Sequence, residues 1–156
     1  MRIEPLAETL GVSKGGFYWH FANRVALLDQ MLDTWEQVSV TNVIESIETE
    51  TGDARVRLRR LFDRAMSDPE MLKVDIAIRE WSLRAPEVAA RLRRVDARRM
   101  DYMRSLFTDV CASDEEVEAR CLLAFSLFVG SHFVVMDHGS HTRDHVLTRA
   151  AALVIP

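Results

Sequence analysis

The spacing of apolar residues restricts the fold of this chain more than any other feature of its sequence. Apolar side chains recur three and four positions apart along the 156 residues, and no segment sustains the alternation of apolar and polar residues typical of a half-buried strand. Pro69 and Pro86 each precede an acidic residue, as is typical of the first turn of a helix. The sequence therefore predicts an all-α protein, with helices near residues 3–10, 14–20, 24–50, 54–66, 69–84, 86–111, 114–137 and 143–154.

Composition excludes several classes of protein. The chain is 48% hydrophobic and 28% charged, close to the average of globular domains, so it can bury a sizeable core. Cys111 and Cys121 lack a CxxC spacing and are interpreted as reduced, buried thiols. The most apolar segment, 121–136, is interrupted by polar residues and is shorter than the roughly 20 apolar residues of a membrane span. No export signal is visible, and we expect a cytoplasmic protein that does not enter the membrane.

The same pattern divides the chain into two expected domains. Residues 1–35 hold short helices with tight turns, whereas residues 36–156 hold a bundle of longer helices. In the first part, Leu6 and Leu10 belong to one apolar stripe, and Phe17 and Phe21 belong to a second. Gly11 separates the stripes, because a helix commonly ends at a residue that tolerates a left-handed conformation. This is the layout of a helix-turn-helix, whose second helix enters the major groove of DNA.

The second short helix is the candidate DNA-reading element. With its phenylalanines turned inward, its outward face and flanks carry Lys14, Gly15, Gly16, Tyr18, Trp19 and His20. Lysine and aromatic tips can contact base edges and phosphates, and glycines allow the backbone to approach a duplex closely. The net charge of −4 requires any such contact to be local. The alternative is an ordinary helical hairpin in which Tyr18 and Trp19 belong to the core.

The run Gly-Val-Ser-Lys-Gly-Gly-Phe-Tyr-Trp-His-Phe over residues 11–21, with Leu-Ala-Glu-Thr-Leu before it and Asn-Arg-Val-Ala-Leu-Leu over 23–28, resembles the TetR family of bacterial transcriptional regulators. The resemblance implies contacts to bases or groove walls from Lys14, Gly15, Gly16 and Trp19. It implies phosphate contacts from Ser13, Tyr18, His20 and Arg24. Gly16 departs from the Thr, Ser or Ala usual in the family, so a different operator preference is expected. The family's first helix has no counterpart after Met1, and we expect a start further upstream or a weakened head.

The longer helices are expected to bind an effector. The helix beginning near Arg24 would connect head and body through an apolar stripe of Leu27, Leu28, Met31, Leu32 and Trp35. Candidate pocket residues are the large side chains Phe62, Met66, Trp81, Tyr102, Met103, Phe107, Phe125 and Phe128. Seven methionines suit an adaptable cavity for an apolar ligand. The alternative is that the candidate pocket residues fill the core. A buried Arg79 or Arg99 paired with Asp96 is a candidate anchor for an acidic ligand.

The last two predicted helices indicate a homodimer. The first of them is apolar on nearly all sides, and such a helix in so small a protein needs a further partner. Gly130 and Ser131 would let that partner approach closely. We expect a four-helix interface about a two-fold axis, which the TetR resemblance also implies. Its candidate residues are Leu122, Leu123, Leu127, Gly130, Val134, Val146, Ala150 and Leu153.

A histidine-rich segment is the one candidate for metal chemistry. His138, His141 and His145 lie near two aspartates, a set that can ligate zinc, but Gly139 interrupts the helical spacing between them. A polar loop is the alternative, and we expect no metal and no cofactor. The chain has no GxSxG, P-loop, GxGxxG or HExxH motif, so we do not expect an enzyme.

The sequence therefore predicts a ligand-responsive regulator of the TetR type. We expect a repressor that binds a palindromic double-stranded operator as a dimer and is released by a small-molecule effector. Two alternatives stay open: a helical dimer without DNA binding that serves as a small-molecule or protein binding module, and a small metal-dependent enzyme built on the histidine segment.

Overall fold

The fold was analysed in a computed structural model, which describes residues 21–155. Over this range the chain is helical and contains no strand, which confirms the all-α prediction. The helices, in chain order, are α1 (Arg24–Glu36), a π-helical turn (Gln37–Thr41), α2 (Asn42–Glu48), α3 (Ala54–Met66), α4 (Pro69–Ser82), α5 (Pro86–Thr108), α6 (Asp114–Phe133) and α7 (Arg143–Val154). None of them is long and apolar enough to cross a membrane.

The starts of α3, α4, α6 and α7 follow from capping side chains that the sequence places one residue before each of these four helices. Asp53, Asp68, Ser113 and Thr142 each accept a hydrogen bond from the backbone N–H three residues further on, and so satisfy a group that the helix leaves unpaired. Pro69 and Pro86 occupy the first turns of α4 and α5, as predicted.

The observed helices depart from the predicted ones at two places. The helix predicted over 24–50 is interrupted by the π turn and ends at Glu48. The helix predicted over 114–137 ends at Phe133, because Val134 adopts extended backbone angles. Consecutive β-branched residues at this point, Val134 and Val135, favour an extended chain over another helical turn. The helices predicted at 3–10 and 14–20 lie outside the described residues.

Two compact units make up the chain, and they divide between Val38 and Ser39. In the described part of the first unit, Leu27, Leu32 and Trp35 of α1 are buried, in keeping with the predicted stripe. Met31 is an exception, because half of its surface is exposed. The predicted division of the chain at residues 35 and 36 stays a prediction.

The core of the second unit lies between α3, α5, α6 and α7. Its fully buried members are Leu58, Phe62, Met103, Leu106, Phe107, Val117, Cys121, Ala124, Val154 and Ile155. The chain end is fastened to this core by Arg120 of α6, which donates hydrogen bonds to the carboxylate of Glu116 and to the backbone carbonyl of Val154. The long helix α5 packs against α3, α4 and α6, and therefore carries the residues that join these elements.

Candidate functional site

Four charged residues of α4 and α5 form a network that we call the Arg–Asp cluster: Asp75, Arg79, Asp96 and Arg99. Arg79 donates to both carboxylate oxygens of Asp96 at 2.8 Å and, through Nε, to Asp75 at 2.9 Å. Arg99 donates to Asp75 at 2.7 Å and to Asp96 at 3.3 Å. Each carboxylate thus bridges both guanidinium groups. Asp75 is only 1% exposed, so the cluster supplies the ionic partners that a buried carboxylate requires.

The surroundings of the cluster come from two further parts of the second unit. Arg99 also donates to the hydroxyl of Ser39 at 3.0 Å. From α6, the Phe125 ring lies 5.4 Å from the guanidinium carbon of Arg79, and the Phe128 ring lies 5.9 Å from that of Arg99. Burial alone would lower the pKa of Arg79, but the hydrogen bonds and charges of Asp96 and Asp75 raise it above its usual value. Arg79 therefore remains charged at any physiological pH.

The predicted pairing of Arg79 or Arg99 with Asp96 is confirmed, since both arginines contact this carboxylate. Sequence reasoning missed Asp75 and Ser39. The spacing of Asp75 and Arg79, four apart on one helix, is a signal for their pairing. Asp96 is the more accessible carboxylate, with 23% of its side chain exposed against 2% for Asp75. An acidic ligand at this cluster would therefore compete with Asp96 for the arginines.

The eight predicted effector residues occupy three different environments. Phe62, Met103 and Phe107 are buried in the core cluster, which is the packing role that the sequence left open for them. Tyr102 and Trp81 are half-buried; the Tyr102 hydroxyl donates to Glu48 at 2.8 Å, and burial together with that carboxylate raises its pKa.

The remaining effector candidates lie on or near the inner side of α6. Met66, Phe125 and Phe128 are half-buried, and the rings of the two phenylalanines are 6.2 Å apart. The hydroxyl of Ser131 lies 3.8 Å from the sulfur of Met66 and donates to the carbonyl of Phe128 at 2.9 Å. Phe125 and Phe128 therefore adjoin each other and the arginines of the Arg–Asp cluster, whereas Met66 adjoins Ser131 of α6.

An uncharged, exposed surface runs along the opposite side of α6. We call it the outer α6 face; its members, spaced three and four apart, are Ala119, Leu122, Leu123, Ser126, Gly130 and Phe133. Leu122, Leu123 and Phe133 expose 64%, 57% and 61% of their surfaces. A Cβ atom added to Gly130 would meet nothing within 4 Å in the protomer. Ser131 is buried, and its hydroxyl lies 3.8 Å from the Met66 sulfur, so it faces the interior of the protomer and not the outer α6 face.

The other predicted interface residues lie on α7 and near the end of α6. Leu153 and Val134 are 78% and 43% exposed, whereas Leu127, Val146 and Ala150 are half-buried. Beyond Val134, the next two side chains, Val135 and Met136, are also exposed. The exposed apolar surface thus extends past the end of α6.

The predicted DNA contacts fall at the N-terminal end of the chain. Arg24 is the first residue of α1 and is exposed, and the preceding Asn23 caps this helix by accepting from the N–H of Ala26 at 3.0 Å. A cation at the exposed start of a helix can reach a phosphate. Ser13, Lys14, Gly15, Gly16, Tyr18, Trp19 and His20 lie outside the described residues.

The histidine segment does not form a metal site in the part of the chain that the structure describes. His141 and His145 stack with ring centroids 5.6 Å apart, but among residues 21–155 no three histidine, cysteine or carboxylate side chains converge. Gly139 has a φ of 62°, which confirms a turn between the histidines. Cys111 and Cys121 are free thiols, and burial raises the pKa of both.

The described residues form an α-helical body, which follows a segment with a helix-turn-helix sequence pattern. The sequence model of the bacterial regulatory proteins of the tetR family matches residues 1–31. No curated protein matches the chain. The match supports a regulator of the TetR type and rests on residues 1–31 alone. This is a family of regulators rather than of enzymes.

Proposed function

We propose that the protein is a homodimeric repressor that binds a palindromic double-stranded operator and releases it when a small molecule binds the helical body. The observation that carries DNA binding is the family match over residues 1–31. The proposed division of labour assigns DNA binding to residues 1–35 and effector binding and dimerisation to residues 36–156. Such a repressor acts in the cytoplasm and needs no cofactor.

The outer α6 face supports the dimer. From Cys121 to Phe133 this helix carries no Asp, Glu, Lys or Arg, although its outer side is exposed in the protomer. A contiguous apolar surface of this kind is typical of an interaction site. A two-fold axis beside Gly130, which has no side chain, would let two copies approach closely and would place Leu122 and Leu123 between them.

The dimer is tested by placing charge on this face. We expect Leu122→Glu/Leu123→Glu to sediment as a monomer at micromolar concentration, because two carboxylates per protomer would have to be desolvated in the interface. Leu83→Glu is the matched control, since Leu83 is 83% exposed but lies just after α4. A wild-type monomer, or a double variant that stays dimeric, would contradict the proposal.

DNA contacts are proposed for Lys14, Gly15, Gly16 and Trp19 at the bases and for Ser13, Tyr18, His20 and Arg24 at the phosphates. Lys14→Ala and Tyr18→Phe should weaken binding to a duplex enriched by the wild-type chain from a random library. Because a lost polar contact costs about 1 kcal/mol, roughly a fivefold loss is expected for each. Lys73→Ala is the matched control, because Lys73 is the only other lysine in the chain and pairs with Glu70 on α4.

These binding measurements also decide between functions. Unchanged affinity in both Lys14→Ala and Tyr18→Phe would refute the assigned contacts. A wild-type dimer that enriches no duplex would favour the alternative, in which the helical dimer is only a small-molecule or protein binding module.

The effector is proposed to bind at the inner side of α6, between Met66, Phe125 and Phe128, beside the Arg–Asp cluster. This position offers aromatic rings next to guanidinium groups, and suits an apolar molecule that carries one acidic group. The probe is 8-anilinonaphthalene-1-sulfonate, an aromatic sulfonate with environment-sensitive fluorescence. Phe128→Ala should weaken its binding, whereas Phe133→Ala, on the outer α6 face, should weaken it less. Equal effects of the two variants would place the probe elsewhere.

A further inference from the structure

The π turn between α1 and α2 is the least regular helical segment among the described residues. It spans five residues, Gln37–Thr41. A π turn contains more residues than an α-helical turn, is rare, and is frequently found at functional sites. The division between the two compact units falls inside it, between Val38 and Ser39. The turn therefore interrupts the α-helical hydrogen bonding between α1 and α2.

Two neighbouring arginines of α5 hold the C-terminal part of this turn. Arg99 donates to the hydroxyl of Ser39 at 3.0 Å, and Arg98 donates to the hydroxyl of Thr41 at 3.2 Å. We call these two bonds the arginine clamp. Both donors are charged, and hydrogen bonds from charged donors are stronger than those between neutral groups. Ser39 and Thr41 are half-buried, so water competes only in part for their hydroxyls.

We propose that the π turn is a register switch and that the arginine clamp holds it in the observed state. Conversion of this turn to regular α-helix would move the flanking helical segments out of register by one residue. That displacement corresponds to a rotation of about 100° and a shift of about 1.5 Å between the flanking segments, the values for one α-helical residue. A helix has discrete registers, so a small change at the clamp becomes a large change on its N-terminal side.

The clamp is connected to the proposed effector site through Arg99. This guanidinium belongs to the Arg–Asp cluster and lies 5.9 Å from the Phe128 ring. A ligand that competes for Asp96 or displaces Phe128 changes the partners of Arg99, and so acts on Ser39. This step rests on the proposed function, because it supplies the route by which an effector would reach the DNA-binding region.

The clamp is tested by removing its two hydroxyls from the full chain. The variant is Ser39→Ala/Thr41→Val, and its matched control is Ser46→Ala/Thr49→Val. The control hydroxyls are exposed and donate only to nearby backbone carbonyls of the same segment, Val43 at 2.7 Å and Ser46 at 3.0 Å. Amide hydrogen exchange of the peptide spanning residues 37–41 is measured by mass spectrometry, and affinity is measured for the duplex enriched by the wild-type chain.

We expect exchange of this peptide to become about tenfold faster in the clamp variant, the effect of losing a hydrogen bond to a charged group, and to be unchanged in the control. Ser39→Thr, which keeps a hydroxyl, should exchange at the wild-type rate. DNA affinity should change by about fivefold or more in the clamp variant, the lower end of coupling between two sites.

Each other outcome has a separate meaning. Unchanged exchange in the clamp variant would show that the arginines do not hold the turn, and would overturn the proposal. Faster exchange with unchanged DNA affinity would overturn its regulatory part, while DNA binding by the wild type would still support the proposed function. If the wild type enriches no duplex, the proposed function fails, and the exchange rates alone decide whether the clamp exists.

Discussion

Replacement of Asp75 by alanine should destabilise the second unit more than any loss of an exposed ion pair. Asp75 is 1% exposed and accepts from Arg79 at 2.9 Å and from Arg99 at 2.7 Å. Breaking a buried ion pair by removing one partner costs about 3–5 kcal/mol, because the remaining charge stays desolvated. Arg79 and Arg99 retain Asp96 and are 19% and 12% exposed, so we expect the lower end of that range, about 3 kcal/mol.

The measurement is urea unfolding followed by far-UV circular dichroism at one fixed protein concentration, because association would shift the midpoint. With an m-value of about 2 kcal/mol/M, a loss of about 3 kcal/mol lowers the midpoint by about 1.5 M. The matched control is Glu70→Ala on the same helix, which removes an exposed carboxylate 2.6 Å from Lys73. Such exposed pairs contribute at most about 1 kcal/mol.

The prediction is refuted if the free energy of unfolding of Asp75→Ala lies within about 1 kcal/mol of the wild-type value, or if Glu70→Ala destabilises the protein equally. A double-mutant cycle sharpens the result. Asp75→Ala and Arg99→Ala should be less destabilising together than the sum of the single variants, by about 1–3 kcal/mol, because each removes the partner of the other. Additive effects would mean that the two side chains contribute independently.

Three further predictions concern other parts of the second unit. Burial raises the pKa of Cys121 from 9.0 to about 11, so this thiol should not react with a thiol reagent at pH 8 unless the chain is unfolded. As the pH rises, the unfolded chain loses the Cys121 proton before the folded chain does, so the free energy of unfolding should fall between pH 9.0 and about 11. In urea titrations over the same pH range, the free energy of unfolding of Cys121→Ala should fall less. Arg120→Ala removes the donor to the Val154 carbonyl and should cost about 1–2 kcal/mol and speed hydrogen exchange in α7; unchanged exchange would contradict this. Gly130→Ala should stabilise α6 in the protomer by up to about 1 kcal/mol, yet weaken self-association measured by sedimentation. A variant that is more stable and also associates more strongly would refute a close helix approach.

Helix positions in this chain were predictable because their signals are local. Capping residues such as Asp53 and Ser113, and the prolines at first turns, act within three residues of the helix start. The Arg–Asp cluster was only partly predictable. Asp75 and Arg79 are four apart on one helix, but their contacts with Asp96 and Arg99 depend on how α4 and α5 align. The π turn could not be predicted from the spacing of apolar residues, because the arginines that contact it lie far along the chain. Arg98 is 57 positions after Thr41, and Arg99 is 60 positions after Ser39.

The rotation of α6 about its axis shows why the candidate interface needed a structure. A helix that is apolar on nearly all sides has no polar face to orient it. Its sequence therefore predicts that the helix is buried, but not which of its sides faces the core. The structure places the small residues Cys121 and Ala124 inward, which lets α6 pack closely in the core, and leaves Leu122 and Leu123 outward. A monomeric helix gains no stability from leucines that stay exposed, because only apolar surface removed from water is stabilising. The exposed leucines of the outer α6 face therefore support the proposed dimer, in which another copy of the chain would cover them.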